Sequence, residues 1–446
     1  MKDLQARARG RLQAARRNRS RLLLMGAACT LALAGFSTGA LAASRPGSGG
    51  GGVSGTTRAA VTTSASTQTP APPVIPPGAA AIPFRGRGMW IWVLASSNRG
   101  NLSSIIAQAH KYGISTLFIK SGDGTNVWSQ FNATLVTALH AAGLRVCAWQ
   151  YVYGTHPQLE AQVGAQAVAD GADCLLIDAE SEYEGRYVQA QIYMNTLRKL
   201  VGASFPVGLA GFPYVDYHPS FPYSVFLGPG GAQYNVPQMY WKDIGTTVDA
   251  VYAHTYEFNE IYQRPIAPLG QIYDRPPLRQ VRRFRAIARS YRAQGLSWWD
   301  WQSATRAQFK ATAQPVGSIR GYVARTTVAS LGKGAVGDVV VWAQEHLVSA
   351  GEKIAIDGDF GPKTRAAVEN FQAAQGLPVT GLVDAYTWAA LLRYPPVAVK
   401  WVMRKHHLKA TTARGGAEVL PVPKSASRPA RGNELHGAPG RGRPQR

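Results

Sequence analysis

Between residues 84 and 318 the chain alternates short apolar or aromatic runs with segments of helical periodicity. The runs begin at Gly88, Thr116, Arg145, Cys174, Pro206, Val236, Ile266 and Gly295, 28 to 32 residues apart. Each has the length of a strand and is too apolar for a strand with one wet face, so eight buried parallel strands are predicted. The intervals carry amphipathic stripes. Leu102, Ile105, Ile106 and Ala109 follow an i, i+3, i+4, i+7 spacing, and Leu135, Val136 and Leu139 precede Gly143, which is placed like a helix C-cap. Val248, Val251, Tyr252, Thr255 and Phe258 repeat the pattern, as do Leu278, Val281 and Tyr291.

Eight strand-helix units over this length predict an α/β fold, a (β/α)8 TIM barrel. The fifth unit departs from the rule, because Pro219, Pro222 and Pro229 suit a long loop better than a helix. A doubly wound open sheet is the structural alternative, but the first strand is not followed by its glycine-rich phosphate turn.

The regions around the barrel have different compositions. Residues 1–43 pair a basic stretch ending at Arg21 with an apolar run closing on Ala40-Leu41-Ala42, the plan of a secretory signal peptide. An uncleaved signal anchor is the alternative. Residues 44–83 are rich in Pro, Gly, Ser and Thr and read as a tether. Residues 395–446 read as a basic disordered tail. The net charge of +23 is concentrated at the two ends: Met1–Arg21 holds eight Lys or Arg against one acid, and Lys400–Arg446 holds eleven against two. A charge excess confined to the ends argues against a nucleic-acid groove. The expected partner is a cell-wall glycan, with membrane contact only transient, through the signal segment. A secreted, wall-associated monomer follows, with no cofactor.

Function in barrels of this kind lies at the carboxyl ends of the strands. Strand four ends in Asp178-Ala179-Glu180, and alternate strand residues share a face, so both carboxylates point the same way. Two carboxylates leaving an apolar strand are costly unless used or paired, and paired acids prepare a general acid beside an ionised partner. A structural pair bridged to Lys120 is the alternative. Other strand ends supply Trp90, Trp92, Lys120, Asp123, Gln150, Tyr151, Gln238, Tyr240, Asp300 and Trp301. Aromatic rings with amides and carboxylates among them suit sugar recognition. Cys147 and Cys174, which begin neighbouring strands, are expected to be buried thiols, with a disulfide as the alternative. No cysteine sits in a zinc spacing, and no metal site is expected.

The stretch Phe118-Ile119-Lys120-Ser121-Gly122-Asp123-Gly124, continuing to Trp149-Gln150-Tyr151, resembles the second and third units of family 25 glycoside hydrolases, lysozymes that cut peptidoglycan. Asp178-x-Glu180 is similar to that family's D-x-E on strand four, which implies Glu180 as proton donor. The family places a further catalytic Asp near the end of strand one, where this chain has Trp90-Ile91-Trp92. The second role then falls to Asp178, as in N-acetylhexosamine hydrolases whose Asp orients the substrate's acetamido group. Tyr240 after Gln238-Met239 resembles the strand-six tyrosine of family 18 chitinases. The resemblances imply a secreted wall hydrolase; a wall-binding protein with a degenerate barrel is the alternative.

Residues 328–394 resemble a complete peptidoglycan-binding domain, through Gly337-Asp338, Gln344, Asp357-Gly358-Asp359-Phe360-Gly361, Thr364, Phe371-Gln372, Thr380-Gly381 and Thr387-Trp388. A small all-α, three-helix unit is expected. The resemblance implies a binding surface around Asp357, Gly358, Phe360, Gly361 and Thr364. Asp357-Gly358-Asp359 lacks the spacing of a calcium loop and reads as loop capping.

Overall fold

The computed structural model describes residues 83–325, 327–404, 407–412 and 417–420. The expected signal peptide and nearly all of the tether lie outside the described residues. Eight strand positions form the barrel: β1 (Gly86–Ile91), β2 (Thr116–Asp123), β3 (Arg145–Val152), β4 (Cys174–Ala179), β5 (Val207–Ala210), β6, β7 (Leu269–Gln271) and β8 (Gly295–Trp299). β6 comes in two pieces, Tyr234–Asn235 and Gln238–Met239, separated by Val236 and Pro237. Its first piece pairs with β5 and its second with β7. β1 pairs with both β8 and β2, so the parallel ring closes through the interrupted sixth strand.

Helices return the chain between strands: α1 (Leu102–Lys111), α2 (Ala133–Ala141), α3 (Pro157–Ala169), α4 (Tyr187–Val201), the short α5 (Tyr223–Leu227), α6 (Trp241–Ile244), α7 (Val248–Asn259), α8 (Leu278–Ser290) and α9 (Arg306–Ala313). Asn101, Asn132 and Thr247 cap α1, α2 and α7 with side-chain oxygens. The proline-bearing fifth interval is mostly irregular, holding only a 3-10 turn and α5.

Strand alternation sorts the apolar residues into two cores. Met89, Ile91, Leu117, Ile119, Val146, Ala148, Leu175 and Ile177 pack outward against the helices. Phe84, Trp90, Phe118, Cys147, Trp149, Cys174, Leu176, Ala210, Tyr234 and Val236 fill the barrel. Both strand faces are covered, which is why the runs were nearly continuously apolar. Cys147 and Cys174 lie opposite each other in the β3–β4 register with Cα atoms 4.6 Å apart and form a disulfide, correcting the expectation of free thiols. Both project into the interior at the same level.

The carboxyl-terminal module has three helices, α10 (Asp338–Ser349), α11 (Pro362–Ala374) and α12 (Ala385–Leu391). It is not held at a distance from the barrel: its apolar residues belong to the same cluster as the outer barrel core. Trp342 donates its indole N–H to the Ile261 carbonyl at 2.8 Å and packs on Tyr262. The Asp338 carboxylate is fully buried, accepting from Ser224 N (2.8 Å), Ser224 Oγ (2.7 Å) and Tyr262 Oη (2.9 Å). Burial pushes its carboxyl up to about 6.

Beyond the module, β9 (Val399–Arg404), β10 (His407–Thr412) and β11 (Ala417–Leu420) form an antiparallel sheet. This corrects the expected disordered tail over that stretch; residues 421–446 lie outside the described residues. Trp401 is only 3% exposed, packs on Tyr187 of α4, and is fixed by Gln191, which bonds both Trp401 N and the Val399 carbonyl. The β-branched and aromatic residues Val399, Trp401 and Val402 carried the strand signal.

Candidate active site and carboxyl-terminal module

The barrel's inward positions change character toward the carboxyl ends of the strands. Below, they are aromatic or aliphatic; above, β2 presents Lys120, β3 Tyr151, and β4 Asp178 followed by Glu180. The sixth strand contributes Gln238, which unites the acids. Its Nε2 donates to Asp178 Oδ1 at 2.9 Å and to Glu180 Oε1 at 3.2 Å. One amide nitrogen therefore orients both carboxylates, as an acceptor-only group and an NH2 with two protons allow. Asp178 is buried and Glu180 half-buried.

Tyr151 lies against this pair. Burial first, then the carboxylates of Glu180, Asp178 and Glu182, hold its phenol well above the usual tyrosine range, so it stays neutral. It donates to Glu182 Oε2 at 2.8 Å. Glu182 extends the acidic alternation begun at Asp178 by one more step, a signal present in the sequence. Tyr240 is buried and meets Tyr273 edge-on at 5.4 Å.

Lys120 pairs with Asp123 at 2.5 Å. Asp123 also accepts from Tyr153 Oη at 2.7 Å. The Lys120 ammonium lies 4.5 Å from the Trp128 ring centroid, 4.8 Å from Trp149 and 5.8 Å from Trp92, a cation boxed by aromatic faces. Trp128 follows a short strand, Asn126–Val127, that folds back antiparallel on β2; no sequence pattern marked it. Trp299 lies between Trp149 at 5.2 Å and Trp90 at 5.8 Å, and with Trp92 remains partly open to solvent.

Other expected site residues have internal duties. Trp90 is buried and donates to Ser297 Oγ at 3.0 Å. Gln150, next to inward-facing Tyr151, points outward: it is fully buried, donates to the Gly124 and Glu160 carbonyls and accepts from Tyr193 Oη. Trp301 is buried against Phe309 and donates to Asn98 Oδ1. Asp300 follows a cis peptide bond, is buried, and has one carboxylate oxygen without a hydrogen-bond partner; burial pushes its carboxyl up to about 6. All four side chains are buried. Among the described residues no group of three or more His, Cys, Asp or Glu side chains is arranged to hold a metal ion.

The helical module contains one polar device twice. Gln344 of α10 accepts from Asp357 N and Gly358 N and donates to Asp357 Oδ1, the Asp359 carbonyl and Thr364 Oγ1. Gln372 of α11 accepts from Thr380 N and Gly381 N and donates to Thr380 Oγ1, the Leu382 carbonyl and Thr387 Oγ1. Gly358 and Gly381 both take positive φ, which favours glycine. Gly358, Phe360 and Thr364 are buried in the turn and core, and Asp357 caps the loop, its Oδ1 accepting from Asp359 N.

Residues 336–391 match the model of a family described as "Putative peptidoglycan binding domain". That segment belongs to this family. A zinc D-Ala-D-Ala carboxypeptidase of Streptomyces albus G is 39% identical over 62 residues, 13% of this chain and 24% of the enzyme. The chain thus spans about a quarter of that relative's length. A peptidoglycan-binding protein of Clostridioides difficile shares 37% identity over 15% of this chain and 43% of its own, with a TM-score of 0.15. An endo-1,4-β-mannanase of Rhizomucor miehei, 8% identical, covers 55% of this chain and 96% of its own with a TM-score of 0.41; so distant a likeness bears on neither activity nor substrate.

Proposed function

We propose that the barrel hydrolyses glycosidic bonds in peptidoglycan or a related N-acetylated glycan and that the peptidoglycan-binding domain holds it to that substrate. The observation that carries this reading is the Gln238 amide orienting Asp178 and Glu180 together at the carboxyl end of the barrel. Export through residues 1–43 and action as a monomer complete the proposal.

In the proposed reaction Glu180 protonates the leaving glycosidic oxygen, while the substrate's own acetamido oxygen closes on the anomeric carbon. Asp178 accepts the acetamido N–H and orients it, and Gln238 keeps both carboxylates in register. Glu180, now ionised, takes a proton from the water that opens the cyclic intermediate, which restores the starting enzyme. Trp92 and Trp299 offer ring faces to the sugar, Tyr240 and neutral Tyr151 line the acid pair, and Lys120 with Asp123 fixes the neighbouring wall. Strand one ends in Trp90-Ile91-Trp92 without a carboxylate, which favours this substrate-assisted route over a two-carboxylate one and also suits the second reading, a glycan-binding barrel without turnover.

A zymogram on embedded cell walls separates the two. Clearing by the wild-type chain and none by Glu180→Gln supports hydrolysis; no clearing by either supports the binding barrel.

A further inference from the structure

The two Gln-clamped turns of the peptidoglycan-binding domain have equivalent buried positions and unlike exposed ones. Aligned on their clamps, Gly358 corresponds to Gly381, Phe360 to Val383 and Thr364 to Thr387, and all six are buried. At the exposed positions the first turn carries Asp359 and Lys363, whereas the second carries Leu382 and Tyr386. Leu382 is 48% exposed and Tyr386 75%, with Val379 just before the turn at 58%. The first turn shows that the fold tolerates charge at these positions, so packing does not explain the apolar side chains of the second.

We propose that the second turn, centred on Leu382 and Tyr386 with Val379 beside them, is the face through which this domain contacts peptidoglycan. The inference rests on the reading that the domain binds peptidoglycan in this chain, for which the match of residues 336–391 is the support. A tyrosine ring and aliphatic neighbours suit the apolar faces of sugar rings. Polar partners are at hand: a side chain built at Gly381 would meet Glu369 Oε1 at 2.8 Å and Arg365 Nε at 2.9 Å, so the Arg365–Glu369 ion pair flanks the turn. The first turn instead abuts the start of α10: Gly337 N bonds the Gly358 carbonyl, and the next residue, Asp338, bonds the barrel's Pro219 carbonyl.

The test is co-sedimentation of the full-length chain with purified insoluble peptidoglycan, comparing wild type, the double variant Leu382→Ser/Tyr386→Ser, and the first-turn double variant Asp359→Asn/Lys363→Gln. All four positions are exposed, and an unchanged melting temperature checks folding. The expected result is binding weaker by about tenfold for the second-turn variant, the scale for two central contact residues, and within about twofold for the first-turn variant. Equal binding by the second-turn variant overturns the proposal while leaving the domain's binding role intact. Absence of wild-type binding overturns that role and the proposal with it. A wild type that dimerises through this face, with the second-turn variant monomeric and still binding, assigns the face to a second copy and also overturns the proposal.

Discussion

Glutamine serves opposite ends in the two halves of this molecule. In the barrel, Gln238 spends its N–H groups on two carboxylates at the open face. In the module, Gln344 and Gln372 spend theirs inside their own turns, on backbone carbonyls, threonine hydroxyls and, for Gln344, the loop-capping carboxylate of Asp357. The same side chain organises chemistry in one place and architecture in the other. A recurring residue pattern therefore marks where hydrogen bonds are satisfied, and only the partners show whether the product is a site or a scaffold. The motif that best matched a family in sequence proved to be mostly scaffold.

The contrast can be broken from the barrel side first. Gln238→Leu keeps the volume and removes the shared donor, so turnover on cell walls should fall by about a hundredfold, the scale for losing one preorganised hydrogen-bond donor. Its melting temperature should change little; a large loss of stability with preserved turnover would make Gln238 a scaffold residue like its counterparts. From the module side, Gln344→Ala strands the Asp357 and Gly358 N–H groups and should cost about 3 kcal/mol in chemical unfolding, without lowering turnover in the folded fraction. The docked module makes deletion of residues 328–394 a poor test, because α10 shares the barrel's outer core and its removal would expose that core.

An effect no larger than this concerns Asp300, a buried carboxyl that accepts from Ser303 and has one oxygen without a hydrogen-bond partner. Its value is raised in the folded state by burial, so its contribution is most favourable when protonated and is lost as pH rises through about 6. Asp300→Asn should therefore stabilise the protein by up to about 3 kcal/mol at pH 8, two units of raised carboxyl, and leave it nearly unchanged at pH 4. Thermal melts at both values check this. Loss of turnover without any stabilisation would return Asp300 to the site.

Much of the barrel was legible because a period near thirty residues needs no knowledge of side-chain direction. The directions were harder. With both faces of each strand buried, apolar runs do not announce which residues face inward, so Gln150 and Tyr151 were both assigned to the site although neighbours on a strand face opposite ways. Trp301 was hard to place for a different reason, since a buried aromatic looks the same in sequence whether it lines a mouth or packs under a helix. Glu182 was within reach of the same alternation that exposed Asp178 and Glu180. The disulfide depended on register, and the closing sheet at Val399–Arg404 was obscured by the basic composition around it. Trp128 had no local signal, because its place follows from a two-residue strand folding onto β2.

The central claim is that the barrel cuts glycan with Glu180 as its acid and base. Its most direct measurement is the release of reducing ends from purified peptidoglycan by wild type and by Glu180→Gln at equal folded concentration. Wild type should release them steadily, and the variant should fall by at least about a thousandfold, within the usual range for losing a general acid–base group. Equal release by the two proteins would contradict the account.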